Sequence, residues 1–561
     1  MMDSSVVFMQ LPSLSFPLPS PRRRLFIIGL GTFLAVSGAG TLSLRVGGST
    51  AASTGAVRSN PTAVPPAVQS IKLPALAATP QPTKKPIKPP TSRFIRVGLA
   101  TKSAPIALWS QFSMTITDSL QPGRKLTVKP RAIVTFFYGA YSGVTVLGQR
   151  WQGPLRIKTS AGVSSAWQSA RVWGAGAPTH VSTNGDNPRW QRAYRGGFDI
   201  SPQTFSFEPA KHRSALRVIN VVPLEEYLKG VVPWEMNPSA PLEALKAQSI
   251  CARSITLSKI ALQRHTADGY DICDYDHCQG YSGTDNEKPR TTLAVAQTAG
   301  LVVWYRGRVA DAVYGTNSGG ITAAASDVWR GQPQPHLQSV RDFSPALHRA
   351  TAQIVKPKMS EADWQRYCSQ SLPTFARPGA AQFRVLASRR RTSSLFQPGD
   401  LPEFYRWTRA ISPQELAEAL GSRTAMEKVT EMRVLERAAS GHIKRLLING
   451  KPVKPEDSNN KSPLPGTQPL PSSIVLDGDS QIRAMLSGRL GSTTALPSST
   501  FVVLPRRDAA GNLTAFVLKG AGWGHGAGMC QRGAQNRAAA GWNARRIINF
   551  YFRDVEVRKI A

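Results

Sequence analysis

From Phe94 onward, apolar residues gather in short runs separated by turn residues. The runs are Phe94 to Leu99, Ile106 to Trp109, Leu126 to Val128, Ile133 to Phe137 and Val144 to Leu147, and Gln121-Pro122-Gly123 interrupts them. A second series passes through Tyr194-Arg195-Gly196-Gly197-Phe198 and ends on Leu216 to Val222. Short β-branched and aromatic runs bounded by Gly and Pro are strand signals, so 93–222 is expected to be mainly β. At Leu224 the pattern turns helical. Glu225, Glu226, Tyr227 and Leu228 begin a short helix expected to end near Gly230, followed by a Val-Val-Pro-Trp-Glu-Met turn. Ser239 and Pro241 are residue types that open helices, and the next one is expected from about Pro241 to Leu262. On it Ala244, Ala247, Cys251 and Ile255 recur at spacings of three and four, a face of mostly small residues suited to close packing on a sheet.

Further along, strands are expected at Leu301 to Tyr305 and Val309 to Tyr314, joined by Arg306-Gly307-Arg308. Gly-rich loops follow at Thr316 to Gly320 and Gly520 to Gly528, then a helix from about Cys530 to Ala540. Between them lie a helix at Pro413 to Leu420 opened by Ser412 and strand-like runs at Ile443 to Ile448 and Thr500 to Leu504, with a Pro- and Ser-rich loop from Pro455 to Ser473. The class is α+β: a mixed, β-rich domain with a few helices around a substrate groove, behind a disordered N-terminal anchor and linker. Its parts are a mainly β region at 93–222, a core at 223–344, an insertion or accessory region at 345–515 and a C-terminal motif and helix at 516–561.

Composition narrows the class. The 561 residues are 41% apolar, with five cysteines and a net charge of +35, which excludes a disulfide-stapled miniprotein, a disordered chain and a polytopic membrane protein. The basic N-terminal segment 1–24 ends in Arg22, Arg23 and Arg24, ahead of the apolar stretch 25–44, which reads as an export signal, either a signal anchor or a cleaved signal peptide. The Pro-rich segment 45–92 reads as an extended spacer. Residues 1–92 hold nine Lys or Arg and one acid, which leaves +27 on the rest of the chain. Arg389, Arg390 and Arg391 read as a solvated basic face, but so large an excess on an exported chain points to a polyanionic partner at the wall or membrane rather than nucleic acid, for which no zinc-finger spacing or RNP motif is present. An odd number of cysteines excludes a complete disulfide framework.

Three separated blocks carry the specific signal. The first runs Val221-Val222-Pro223-Leu224-Glu225-Glu226-Tyr227-Leu228-Lys229-Gly230-Val231-Val232-Pro233-Trp234-Glu235-Met236 and continues through Glu243 to Gln248 and Ala252-Arg253. The second is Asn317-Ser318-Gly319-Gly320-Ile321-Thr322 with Asp327-Val328-Trp329, and the third is Gly522-Trp523-Gly524-His525-Gly526-Ala527-Gly528-Met529-Cys530-Gln531-Arg532-Gly533-Ala534-Gln535. Together they resemble the stage II sporulation protein D family, which includes the amidase enhancers, over about 93–555. The resemblance implies a peptidoglycan lytic transglycosylase that cleaves glycan strands between N-acetylmuramic acid and N-acetylglucosamine, leaves 1,6-anhydro ends, and uses Glu235 as its catalytic acid.

The residues themselves suit that chemistry. Pro233, Trp234 and Met236 give the Glu235 carboxyl an apolar setting, and desolvation favours the protonated form that an acid catalyst must hold. One carboxyl suffices where the substrate's own C6 hydroxyl is the nucleophile. Glu225 and Glu226 are expected to face solvent or cap, and Glu243 to complement its helix dipole. Tyr314, Asn317, Ser318, Gly319, Gly320, His525 and Gln531 are the candidate substrate-binding residues; for His525 a loop-stabilising role weighs equally. Ser318 lacks a nucleophile elbow, and Cys251 and Cys530 are not expected to react.

Asp271-Ile272-Cys273-Asp274-Tyr275-Asp276-His277-Cys278-Gln279 supplies two thiols and an imidazole, with His265 the nearest fourth ligand. That donor set suits tetrahedral zinc; a Cys273–Cys278 disulfide is the rival. Some relatives with matching residues bind zinc near the active site, and others lack the cysteines. No other cofactor is expected. The alternative from another class is a non-catalytic wall-binding module that recruits or stimulates an N-acetylmuramoyl-L-alanine amidase. The expected location is exported, anchored in the membrane if the apolar stretch stays uncleaved, or in the periplasm or wall.

Overall fold

Alternation fixes the first layer. Met114, Ile116, Leu155 and Ile157 turn inward while Thr115, Arg156 and Lys158 face out, the period-two pattern of a sheet buried on one side. The structure, a computed structural model, describes residues 94–99, 106–139, 143–160, 170–175, 189–205, 213–343 without 276 and 330–333, 355–377 without 357, 402–453 without 422, 470–486 and 496–560. The basic segment 1–24, the apolar stretch 25–44, the linker 45–92 and Arg389, Arg390 and Arg391 lie outside these residues. Among the described residues, no helix is long and apolar enough to cross a membrane.

The fold is α+β, as the pattern of runs implied. A seven-stranded sheet runs in the order Ile272–Cys273, Phe94–Leu99, Arg213–Pro223, Gly197–Phe205, Leu155–Thr159, Met114–Asp118, Lys125–Val128. A six-stranded sheet runs Arg189–Tyr194, Ala170–Ala175, Ile106–Trp109, Ile133–Gly139, Gly143–Val146, Gln149–Trp151. Val97, Ile116, Ile157 and Val218 from the first sheet share one buried cluster with Leu108, Val134, Phe136 and Val144 from the second.

The long strand Arg213–Pro223 feeds directly into helix α1, Leu224–Glu235. The turn expected after Gly230 is not there. The helix continues through Pro233, which has no N–H to offer the Lys229 carbonyl four residues before it. Gly230 is a packing residue instead: a Cβ there would overlap the Gly283 carbonyl and the Tyr281 ring. Helix α2, Leu242–Ala261, matches its expected span. It packs on α1, on α3 (Pro289–Gln297), on the helices Gln531–Ala539 and Ala544–Tyr551, and on the strand Leu301–Tyr305, so its surroundings are helical more than sheet. Enclosure on most sides buries Gln248, Ser249, Arg253, Ser254 and Thr256. The hydroxyls of Ser249, Ser254 and Thr256 donate back to the carbonyls of Leu245, Ile250 and Ala252.

Arg253 lies fully buried and forks onto Glu225, with Nε at 2.8 Å and Nη2 at 2.7 Å from the two carboxylate oxygens. Glu226 meets Lys229 at 2.6 Å and Arg195 at 3.2 Å. Both acids, expected to face solvent or cap, are ion-paired: Glu225, its side chain still 37% exposed, with Arg253 28 residues downstream, and Glu226 with Lys229 and with Arg195 of the preceding β region. Residues beyond 400 add a cluster of their own, including Trp407, Leu416, Val429, Leu446, Ile448, Phe501 and Leu518. It joins the sheet Arg406–Ile411, Leu513–Ala521, Phe501–Arg507 to the sheet Met426–Arg437, Ile443–Pro452, Ser473–Asp477.

Candidate active site and metal cluster

Glu235 is the last residue of α1, half-buried between buried Pro233 and Met236. Its carboxylate Oε1 accepts the backbone N–H of Gly280 at 2.7 Å. Its carbonyl oxygen accepts the side-chain amide of Gln531 at 2.8 Å. Blocks one and three, far apart in sequence, thus meet at one residue. That Gln531 amide also reaches Gln248 Oε1 on α2, at 3.3 Å.

The stretch just ahead of block two enters through Tyr314. Its buried hydroxyl donates to Gln279 Oε1 at 2.8 Å, and burial first, then the neighbouring Glu235 charge, hold it well above the usual phenol range. His525 Nε2 donates to the Tyr314 carbonyl at 3.0 Å while its Nδ1 accepts from Ala527 N–H at 3.1 Å. A carbonyl can only accept, so the ring is the neutral Nε2–H tautomer. Desolvation lowers its pKa to about 4, and its ring lies 4.9 Å from that of Trp329. These contacts give His525 a fastening role between blocks two and three. Gly528 completes that junction: with φ at 73°, a Cβ there would run into the Val313 carbonyl.

The remaining block-two candidates are buried and hydrogen-bonded within the protein. Asn317 donates to the Ala376 carbonyl at 3.0 Å and accepts from Gly319 N–H at 2.8 Å. Ser318 Oγ accepts from Gly320 N–H at 3.3 Å, and the Gly319 carbonyl accepts from Tyr367 Oη and Arg406 Nη1, both at 2.8 Å. Gly319 and Gly320 form a turn at φ of 68° and 114°. Cys530 caps the helix it precedes by accepting Gly533 N–H, and burial pushes its thiol up to about 11. Cys251 is buried beside Met529. Glu243 stands in the first turn of α2; against a desolvation that would raise its pKa, Lys246 and the Ala544 N–H hold it below the usual carboxylate value.

The four candidate metal ligands converge. His265, Cys273, His277 and Cys278 each present a donor atom, all within 4.8 Å of one another. Cys278 Sγ lies 3.4 Å from His265 Nε2 and 3.8 Å from His277 Nδ1, and Cys273 Sγ lies 3.6 Å from His277 Nδ1. Two sulfurs and two imidazole nitrogens at such separations match a tetrahedral site with bonds of about 2.0–2.3 Å. The five cysteines are free thiols, so Cys273 and Cys278 are not joined. Cys273 donates to Cys278, which, helped by His277 and Lys259, holds the Cys278 thiol far below its usual pKa. Asp268 Oδ2 holds His265 Nδ1 at 3.0 Å and so aims Nε2 at the cluster, the outer carboxylate common around metal-binding histidines.

Sequence reasoning missed Gly280, Asp268 and Lys259. Lys259 Nζ donates to the Cys278 carbonyl at 2.6 Å and to that of His277 at 3.1 Å. A carboxylate three residues after His265 was a readable signal for Asp268; a glycine's N–H carries none.

Known proteins resemble the chain over parts of its length. Residues 212–305 match the model of the stage II sporulation protein family, and residues 323–458 and 469–528 match a domain of unknown function. The chain is 26% identical over 333 residues to the amidase enhancer of Bacillus subtilis strain 168, an alignment covering 58% of this chain and 39% of that protein. It is 32% identical over 145 residues to the stage II sporulation protein D of the same strain, covering 23% of this chain and 41% of that one. A protein of Brachyspira hyodysenteriae described only as uncharacterized is 24% identical over 348 residues, covering 62% of this chain and 69% of its own length. The chain thus spans about two fifths of each of the two named relatives.

Proposed function

We propose that the chain, whose residues 212–305 match the stage II sporulation protein family, acts at the cell wall as a lytic transglycosylase of peptidoglycan glycan strands, exported to the envelope, with Glu235 as its single acid and base. The observation that carries this reading is the placement of Glu235: at a helix end, half-buried, its carboxylate fixed by Gly280 N–H and its main chain by Gln531. A group that must donate and then retrieve one proton needs a fixed position, because misplacement by about 1 Å can cost on the order of a hundredfold in rate.

The steps balance without water. Protonated Glu235 gives its proton to the glycosidic oxygen as the C1–O bond of N-acetylmuramic acid breaks, and the N-acetylglucosamine 4-hydroxyl departs. The muramyl C6 hydroxyl then attacks C1, and Glu235 takes back the C6 proton, leaving a 1,6-anhydro ring and a regenerated acid. Tyr314, whose hydroxyl feels the Glu235 charge, is held by Gln279, and Gln248 meets the Gln531 amide that holds the Glu235 carbonyl.

The four converging ligands are read as a zinc site. Bound zinc, saturated by His265, Cys273, His277 and Cys278, supplies a structural cross-link rather than an open Lewis acid. The basic excess of +35 suits an anionic wall surface. A second reading, in which the chain binds wall glycan and stimulates an amidase, draws on the name of the amidase enhancer relative. Mass spectrometry of strands stripped of stem peptides separates the two, since only the first creates new anhydro ends.

A further inference from the structure

A residue of the candidate metal cluster and the residue that holds Glu235 stand two positions apart in the chain. Cys278 contributes a cluster sulfur, and Gly280 donates its N–H to Glu235 Oε1 at 2.7 Å. We propose that Gly280 is a positioning residue that ties the metal-bound segment to Glu235, so that metal loading and the placement of the acid are thermodynamically linked. The proposal rests on the reading of Glu235 as the acid and of the quartet as a zinc site.

Three anchors hold the segment from its other sides. Ile272–Cys273 pairs in parallel with Val97 and Gly98 at the sheet edge. Lys259 of α2 takes the His277 and Cys278 carbonyls. Gln279 accepts from Tyr314 Oη and donates to Thr256 Oγ1, both at 2.8 Å. The fourth side is Trp234, whose indole occupies the space where a Cβ of Gly280 would stand. Only glycine therefore lets the main chain come within reach of the carboxylate while Trp234 stays in place. Accepting this N–H at Oε1 fixes the direction in which the Glu235 carboxyl points. A ligand that holds Cys278 holds Gly280, and by linkage the carboxylate that holds Gly280 strengthens retention of the ligand.

The test uses the full chain loaded with zinc. Gly280→Ala is expected to keep one zinc per chain and its circular dichroism while kcat for anhydro-ended product falls about a hundredfold and KM stays within about twofold. Alanine retains the N–H, so once Trp234→Leu makes room for its methyl, Gly280→Ala costs about tenfold less in kcat in that background than in the wild type, measured as a double-mutant cycle. A readout independent of turnover is zinc retention against a chelator: Glu235→Ala weakens it about tenfold, and Glu427→Ala, an exposed substitution paired with Lys451, leaves it unchanged. Wild-type kcat in Gly280→Ala, or wild-type zinc retention in Glu235→Ala, overturns the proposal, as does a wild-type chain that binds no zinc. A wild type that holds zinc with the expected dependence on Glu235 but makes no anhydro ends instead overturns the transglycosylase reading and leaves the linkage standing.

Discussion

The side-chain amide of Gln531 donates to the main-chain oxygen of Glu235 across 2.8 Å, so the C-terminal motif holds the end of the helix that carries Glu235. The carbonyls of a helix's last turn lack partners within the helix, and this one has found its donor 296 residues away. Gln531→Ala is expected to keep the fold and lower kcat/KM on stripped strands about tenfold, with the loss in kcat. Steady-state kinetics on strands of defined length check this.

Asp342 and Arg537 form a fully buried pair at 2.6 Å, and Tyr551 Oη donates to the other Asp342 oxygen at 2.8 Å. Removing one partner strands a charge in the interior, which costs about 3–5 kcal/mol. Asp342→Asn should therefore shift the urea midpoint sharply downward without changing the slope of the transition.

Zinc content follows from the quartet. Elemental analysis of the purified chain should give one zinc per molecule, and the Cys273→Ser, Cys278→Ser double variant should give none. Chelation should lower the melting temperature of the wild type and leave that of the double variant unmoved, because metal that binds only the folded state stabilises it by mass action.

His525 sets a pH window. Its folded pKa of about 4 lies below the unfolded value of 6.5, so the unfolded chain binds the extra proton first. The contribution of neutral His525 is complete above about 6.5 and is lost as pH falls through about 4. Asp479, Arg483 and His442 also act on the ring, and buried His442 is shifted in the same direction. Thermal melts from pH 7 to 4 should show a falling midpoint in the wild type and a shallower fall in His525→Gln.

Much of this arrangement was readable from local chemistry. Ser412 with Glu415 three residues on is a capping box, and the helix starts at Pro413 as expected. The convergence of His265, Cys273, His277 and Cys278 was legible because thiols and imidazoles have few uses in one short segment. The end of α1 was not, because Gly230 mimics a helix stop until Tyr281 and Gly283 are seen packed against it. Glu225 looked solvent-facing because its partner Arg253 lies on another helix. The strand Met426–Arg437 escaped notice because its register shifts, as between Val429 and Glu431, break the alternation that marks a strand. Gly280 was invisible since its contribution is a backbone N–H, whose direction depends on the entire surrounding fold.

The central claim is tested by incubating stripped glycan strands with wild type and with Glu235→Gln and weighing the products. The account predicts 1,6-anhydro-ended fragments from the wild type and a drop of about a hundredfold to ten-thousandfold in the variant, which still binds strands. Undiminished anhydro product from Glu235→Gln, or intact strands held equally well by both proteins, would contradict it.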